Sequence, residues 1–547
     1  MQQKYSSNLI LNKEVETLLN HAILVSNKLY SLTKESNYFE ATFRFIEQNK
    51  STALLAGLQK SNTLRLANVP SSLIERENQL KQNLLSIQEK ISSSTSKLSS
   101  AENKLQQIFK QQQEVLQKNL DSIQSVLFEQ YPDYYRLFYG NNVISIAQVQ
   151  SHLDKNKVIL DFALSDSLLI TYVIRKDDAT LTTKKLPAGF NNSIERLLQL
   201  IRFVNTDNSK ADFQSFTQLS YRIYEFLFAD IEEQLQGKEL LIVPDGILSY
   251  LPFDVLLTQK VNLERPDYRK LPYFIRTHVS STLNSAAIYF SYSQNKKRNY
   301  GQIVAFAPDY SFLEGQAASN NNPFSLMPLN HVNQELESIS NAFDAKIYKG
   351  NQATKENFLS SAKQASVLHL AMHAVLNDED PFLSQLVFAP KEQEFNSSLF
   401  LVSDLFGMTL SADLAVLSAC NSGNGKLNKG EGILSLSTGF QYAGVPSIIM
   451  THWDVNDKFS AELMSNFYAN LAQGMAKNNA LHEAKLKIIN QENALYSHPY
   501  YWAGFTLIGN ETAIVAGKSK FGNSLEFIIP LLILAFLFLR KKQIQNG

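Results

Sequence analysis

Val367-Leu368-His369-Leu370-Ala371-Met372-His373 and Leu414-Ala415-Val416-Leu417-Ser418-Ala419-Cys420 are the two stretches on which the reading of this chain turns. Each opens as an unbroken apolar run of strand length, the mark of a strand buried on both faces. Each then changes into side chains that can do chemistry. Working outward, Ile303-Val304-Ala305-Phe306-Ala307 and Ser447-Ile448-Ile449-Met450 are runs of the same kind. Leu240-Leu241-Ile242-Val243 ends at the turn Pro244-Asp245-Gly246. Val158-Ile159-Leu160-Asp161-Phe162-Ala163 and Leu168-Leu169-Ile170-Thr171-Tyr172-Val173 read as a pair of strands. From about residue 144 such runs alternate with helical patterns, which predicts an α/β class with a mainly parallel sheet flanked by helices. In these sheets reactive groups collect at the carboxyl ends of strands, where loops begin.

Cys420 is the one cysteine of the chain. A disulfide framework and a Cys-rich zinc site are therefore excluded. A lone cysteine is ordinarily a small buried hydrophobe. This one instead stands at the lip of a strand, before the polar, glycine-containing loop Asn421-Ser422-Gly423-Asn424-Gly425. His373 lies 47 positions upstream, at the end of the other strand. In caspases a catalytic His precedes a Cys in Q-A-C-x-G by about 50 residues. Here Ala419-Cys420 is shared and the glycine is displaced by one. A thiol needs a nearby base or cation to react at neutral pH. His373 fits that role, taking the thiol proton and then protonating a leaving amine. Backbone amides of Cys420 and of Ala374, which follows His373, are the candidate oxyanion donors. His369, four residues earlier on the same strand, reads as a hydrogen-bonded core residue. His452 and His498 fall in loops and carry little weight alone.

Composition sets the outer limits. The chain has 547 residues, 44% hydrophobic and 19% charged, as expected of a globular protein of several domains. Its formal net charge is zero and it has no dense basic run with aromatics, so no nucleic-acid partner is expected. No Walker or Rossmann glycine pattern stands out, and the nine histidines are scattered, so neither a cofactor nor a metal is expected. The first residues lack a secretory-signal pattern. Phe527 to Leu539 is apolar apart from Pro530 and is followed by Arg540-Lys541-Lys542. This predicts a single-pass membrane segment over 525–542, with a packed short helix as the alternative. The basic flank puts the tail in the cytoplasm, whereas the missing signal keeps the body inside, so the side of the membrane stays open. Both hold only if Met1 is not the natural start.

The N-terminal part reads as helical. Val15, Leu18, Leu19, Ala22, Val25 and Leu29 recur at three and four, and a second helix carries Phe39, Phe43, Ile46, Leu54 and Leu58. After the break at Asn68-Val69-Pro70, residues 66–140 read as a long helical hairpin. Its coiled-coil-like seams are Leu80, Leu84, Ile87, Ile91 and Leu116, Leu120, Ile123, Leu127.

Taken together, the chain resembles the CHAT family, caspase-like domains associated with tetratricopeptide repeats and related to separase. The likeness lies in Leu368–His373, Leu417–Gly423, Gly430-Glu431-Gly432, Ala443-Gly444-Val445-Pro446, Trp453-Asp454-Val455-Asn456-Asp457 and Tyr501-Trp502-Ala503-Gly504-Phe505. Val243–Gly246 and Leu251-Pro252-Phe253-Asp254 add to it, and it spans about 142–513. The resemblance implies a caspase-like fold of two tandem halves, an inactive one over 142–300 and a catalytic one over 301–513. It implies His373 and Cys420 as the dyad of a cysteine endopeptidase. It also implies TPR-like helices over 1–65, through which a regulatory protein or ligand switches proteolysis of a protein substrate. Arg44-Phe45-Ile46-Glu47-Gln48-Asn49-Lys50 is similar to the helix that joins repeats to such a domain. Ala374 departs from the pattern, because relatives have Gly after the catalytic His and alanine resists positive φ. Asp454 and Asp457 are candidates for a pocket that takes a basic residue, or else cap the helix beginning near Phe459. Two other readings stay open: a catalytically silent scaffold that binds partners, and another thiol acyl-transfer enzyme.

Overall fold

The computed structural model describes residues 2–60, 70–92, 100–131, 144–203, 209–262, 265–294, 302–311, 326, 328–375, 377, 383–390, 395–405, 408, 410–418, 439–441, 443–453 and 455–514. Four long helices come first: α1 (Gln2–Thr33), α2 (Ser36–Lys60), α3 (Ser71–Ser92) and α4 (Ser100–Gln130). They pack in pairs. Thr42 of α2 donates to Ser26 of α1 at 2.9 Å. Leu80 and Leu84 of α3 meet Leu120 of α4, with Leu116 and Ile123 alongside, so the heptad-spaced leucines form the seam between them.

The α/β body begins with α5 (Ile146–His152), β1 (Lys157–Leu164), β2 (Leu168–Ile174), β3 (Ala179–Lys185), α6 (Phe190–Arg202), α7 (Ser209–Phe228), β4 (Glu239–Val243), β5 (Ser280–Thr282) and α8 (Ala286–Gln294). It continues with β6 (Ile303–Ala307), α9 (Val332–Ala342), β7 (Ala345–Lys349), α10 (Lys355–Ser361), β8 (Val367–Leu370), β9 (Ala374–Val375), β10 (Gln385–Val387), β11 (Leu399–Leu401) and β12 (Leu414–Leu417). β13 (Ser447–Thr451), α11 (Asp457–Ala472), α12 (Lys477–Ile489) and β14 (Phe505–Gly509) complete it.

Eleven strands form one sheet in the order β3-β2-β1-β4-β5-β14-β13-β12-β8-β6-β7. All neighbours run parallel except β1–β2, β2–β3 and β13–β14. Every residue of β6, β8 and β12 is buried, as their apolar sequences, broken only by His369 in β8, require of central parallel strands. β3, Ala-Thr-Leu-Thr-Thr-Lys-Lys, holds the edge and buries no residue fully, and its lysines discourage pairing with another chain. β14 runs parallel to β5 through Thr282 and Ile508, and this pairing joins strands 157–282 to strands 303–509. Gly509 at the end of β14 has φ of 102°, and a Cβ there would lie 2.2 Å from the Pro446 carbonyl oxygen. A second sheet, β11-β10-β9, is antiparallel and follows directly on β8.

The membrane expectation is corrected. Among the described residues no helix is long and apolar enough to cross a bilayer, and the segment 525–542 lies outside them. The apolar run Phe527–Leu539 is itself short of the about 20 residues that a helical span needs, and Pro530 interrupts it. The single-pass assignment and the membrane partner are therefore withdrawn.

α2 docks on the sheet through charged groups as well as apolar ones. Phe43 and Ile46 are buried against Ile159, Ile170 and Tyr172 of β1 and β2. The Tyr172 hydroxyl donates to the Phe39 carbonyl at 2.6 Å. Lys50 forms an ion pair with Asp161, a fully buried carboxylate on β1. The Glu47 carboxyl accepts the amide hydrogens of Ala286 and Ala287, at the start of α8, at 3.2 and 2.9 Å. Burial, with Asp161 nearby, pushes the Glu47 carboxyl from 4.5 up to about 7, against the pull of Lys50 and the two amides.

A pH dependence follows with a definite sign. A carboxyl whose folded value is raised contributes stability that is full below its unfolded value of 4.5 and lost as pH rises through about 7. Burial depresses the buried histidines His369, His452 and His498, so their opposite contribution is complete above the ordinary 6.5. The thermal midpoint is therefore expected to fall as pH rises from 6.5 to 8.5, the buried Glu335, raised to about 8, contributing with the same sign, and Glu47→Gln to make the part of that fall near pH 7 shallower. Melting curves of the two proteins across this range check it. Identical slopes would assign the fall to other groups.

Candidate active site

β8 and β12 are hydrogen-bonded neighbours, although 43 residues of sequence separate their ends at Leu370 and Leu414. Their register pairs His369 with Val416 and Leu370 with Leu417. The pairing runs one step further, because the Ser418 amide donates to the Leu370 carbonyl at 3.2 Å. On its other side β8 pairs with β6, and the Ala371 amide donates to the Phe306 carbonyl at 2.9 Å. The two stretches that opened the sequence reading thus leave the same edge of the sheet side by side.

His373 follows β8 by three residues and is only 6% exposed. Its main chain is fixed on both sides. The His373 amide donates to the Tyr310 hydroxyl at 3.2 Å, and its carbonyl accepts from the Val387 amide at 3.0 Å. The Tyr310 hydroxyl in turn donates to the Val387 carbonyl, and the Tyr310 ring lies 4.8 Å from the imidazole, centroid to centroid. Tyr310 is fully buried, so this brace is shielded from water.

Ala374 begins β9 and pairs with Leu386 of β10. Its backbone is extended: among the described residues Lys34 is the non-glycine residue with positive φ. The alanine side chain therefore causes no strain in this conformation. Cys420 comes three residues after the end of β12 and lies outside the described residues, as do Asn421 to Gly425 and Asp454. Asp457 is the first residue of α11, whose N-cap is Asn456, with the Asn456 side chain accepting from the Lys458 amide. The Asp457 carboxylate accepts the Asn330 amide hydrogen at 3.1 Å, tying α11 to the segment that leads into α9. Of the predicted site residues the structure thus describes His373, Ala374 and Asp457.

Behind the strand ends lies a polar group that no motif announced. Glu335, in the first turn of α9, is 3% exposed. Its Oε2 accepts from the Ser418 hydroxyl at 3.1 Å. Its Oε1 faces His369 Nε2 at 3.4 Å, and His369 Nδ1 meets the Tyr468 hydroxyl of α11 at 2.9 Å. Burial pushes the Glu335 carboxyl up to about 8, with Asp457 adding to the rise and Ser418 opposing it. Burial also holds His369 down to about 3. Both shifts favour the neutral form. The one available signal for Glu335 was helical spacing, which puts it on the same face as Leu336, Ile339 and Ala342. His369 is the buried, hydrogen-bonded histidine that its mid-strand position predicts.

His498 and His452 serve structure. His498 Nδ1 accepts from the Tyr500 amide at 3.2 Å, and the His452 carbonyl accepts from Arg202 at 3.3 Å. Among the described residues no group of three or more His, Cys, Asp or Glu is placed to hold a metal ion.

The model of the CHAT domain matches residues 217–510, more than half of the chain. The chain belongs to the CHAT domain family. The matched region starts within α7, so β1, β2 and β3 lie outside it while belonging to the same sheet as the rest of the CHAT domain. Tetratricopeptide repeat protein 28 of Mus musculus is 25% identical to this chain over 56% of its length, and the chain spans 14% of that relative. Among solved structures, the separase–securin complex of Saccharomyces cerevisiae aligns with a TM-score of 0.41 at 10% identity, covering 88% of this chain and 41% of that one. The Arg-specific cysteine proteinase gingipain R aligns with a TM-score of 0.33 at 11% identity, covering 59% and 74%. At TM-scores below 0.5 neither superposition equates individual residues with those of the CHAT domain here.

Proposed function

We propose that this CHAT domain is a cysteine endopeptidase in which Cys420 is the nucleophile and His373 its base. The observation that carries the reading is the register of β8 against β12. Leu370 pairs with Leu417 on adjacent parallel strands, and His373 and Cys420 each come three residues later in the sequence. The braced main chain of His373 supports a preorganised base, since a base must stay within hydrogen-bond reach of the proton it takes. In the proposed reaction the thiolate attacks the scissile carbonyl, His373 passes the thiol proton to the leaving amine, and water then hydrolyses the thioester. The amides of Cys420 and Ala374 are the proposed oxyanion donors, and Asp454 and Asp457 the proposed pocket for a basic side chain.

The larger organisation belongs to the same proposal. Strands 157–282 form a non-catalytic half and strands 303–509 the catalytic half of a caspase-like pair. The N-terminal helices receive a protein or ligand that regulates proteolysis, and the Glu47 and Lys50 contacts of α2 support their coupling to the sheet.

The test is labelling of Cys420 by a panel of peptide-based electrophiles, with Cys420→Ala and His373→Ala as controls and cell lysate as a source of activators. With one thiol in the chain the site of labelling is unambiguous. Labelling that requires His373 and varies with the peptide is expected. Slow labelling, indifferent to His373 and to lysate, would replace the peptidase reading with a catalytically silent scaffold. Product mass distinguishes hydrolysis from transfer to an amine.

A further inference from the structure

Glu335 is a nearly dry carboxyl without a cationic partner, wedged between two strands that end at the proposed dyad. An apolar residue would fill such a core position at less cost, because burying a polar group is unfavourable unless its hydrogen bonds are met. Here one of its two oxygens is met. The Ser418 hydroxyl donates to Oε2 at 3.1 Å. Oε1 faces His369 Nε2 at 3.4 Å. On its other side His369 Nδ1 lies 2.9 Å from the Tyr468 hydroxyl. Among the described residues neither Oε1 nor Nε2 forms a hydrogen bond, so each is a buried polar atom aimed at the other. α9, β8, β12 and α11 each contribute one member.

We propose that Glu335 is a positioning residue for Cys420: its carboxyl, set between Ser418 Oγ and His369 Nε2, fixes the strand end that leads into the nucleophile. The proposal deepens the peptidase reading above and rests on it. Ser418 is two residues before Cys420 and is the last described residue of that strand end. Its amide is held by Leu370 and its side chain by Glu335, so the carboxyl locks β12 to β8 at the last step before the loop.

Neutrality matters as much as position. A carboxylate at the end of this strand would place an unpaired negative charge in the core, whereas a neutral acid does not. The groups facing Glu335 are Ser418 of β12, His369 of β8, and Tyr468 and Asp457 of α11. Asp457 pushes the carboxyl the same way as burial does.

The single cysteine allows a direct test in the full chain. The rate of alkylation by iodoacetamide is measured from pH 5 to 10 for wild type, His373→Ala, Ser418→Ala, Glu335→Leu and Glu335→Gln, with melting curves alongside. Ser418→Ala and Glu335→Leu are expected to alkylate at least tenfold more slowly at pH 7 while remaining folded. Glu335→Gln, which can still accept from Ser418 and donate to His369, is expected to recover the rate to within about threefold. A merely structural role would not produce that rescue together with a shifted pH profile. Should Glu335→Leu fail to fold, Ser418→Ala decides. Wild-type rates in Ser418→Ala, or a Gln variant as slow as the Leu variant, would overturn the proposal. If His373→Ala alkylates like wild type while Ser418→Ala is slowed, the dyad fails and the positioning role stands.

Discussion

His373→Ala is expected to lower peptide hydrolysis by about 10²–10⁴-fold, the usual worth of a positioned acid–base group. A free thiol has a pKa near 8.5 and is mostly protonated at neutral pH, so loss of the base removes both thiolate formation and protonation of the leaving amine. The substitution is a clean one. The parts that hold this segment in place are main-chain groups: the amide on Tyr310, the carbonyl under Val387 and the β9–β10 pairing. Alanine keeps all three, so the melting temperature is expected to move by only a few degrees. Tyr310→Phe makes the complementary change. It keeps the imidazole and removes the hydroxyl that joins His373 to the Val387 carbonyl. A smaller loss, about tenfold and mainly in kcat, is expected, because the base remains but its backbone is less well held. Steady-state assays on a cleavable peptide found with the electrophile panel check both variants. A His373→Ala enzyme within threefold of wild type would remove His373 from the mechanism.

Lys50→Ala is expected to be the most damaging single change on the helical side, at about 3–5 kcal/mol, because it leaves a buried charge without its partner. The Asp161 carboxyl is fully buried in β1, and the Lys50 side chain is only 10% exposed. Glu47 adds a second acid to the same pocket, so removing the one base leaves two carboxyls facing each other. The measurement is denaturant unfolding of the full chain, with hydrogen exchange over 36–60 to localise the loss. The cost is expected to appear first as release of α2 from the sheet. Lys50→Met combined with Asp161→Leu tests the cause. Replacing both charges by apolar groups is expected to recover most of the stability, since the penalty belongs to the orphaned acid. A Lys50→Ala loss below about 1 kcal/mol would mean that water reaches Asp161 once the lysine is gone.

These contacts separate what was legible from what was not. The strands were legible, because a strand buried on both faces must be apolar at nearly every position, and the runs at 303–307, 367–371 (apart from His369) and 414–417 have that form. The charged edge strand β3 carries no such signal and was not singled out. The α2 segment from Arg44 to Lys50 was noticed by its likeness to a linker helix, yet its partners Asp161, Ala286 and Ala287 are more than 100 residues away. The membrane expectation came from reading apolarity without enough length. Asp457 was open between pocket and cap, and it meets Asn330, a residue in no motif.

By itself the sequence determined the α/β class, the positions of His373 and Cys420 just after two largely apolar runs, and the family to which their surroundings belong. All of these depend on local composition and spacing, which a linear chain displays. Tertiary structure alone decided that β8 lies between β6 and β12 with Leu370 opposite Leu417, that Tyr310 braces His373, and that Glu335 reaches Ser418 and His369. The physical reason is that pairing order, register and burial are set by packing between segments far apart in sequence. A buried carboxyl on a helix looks like any surface glutamate until the strands that close over it are in place.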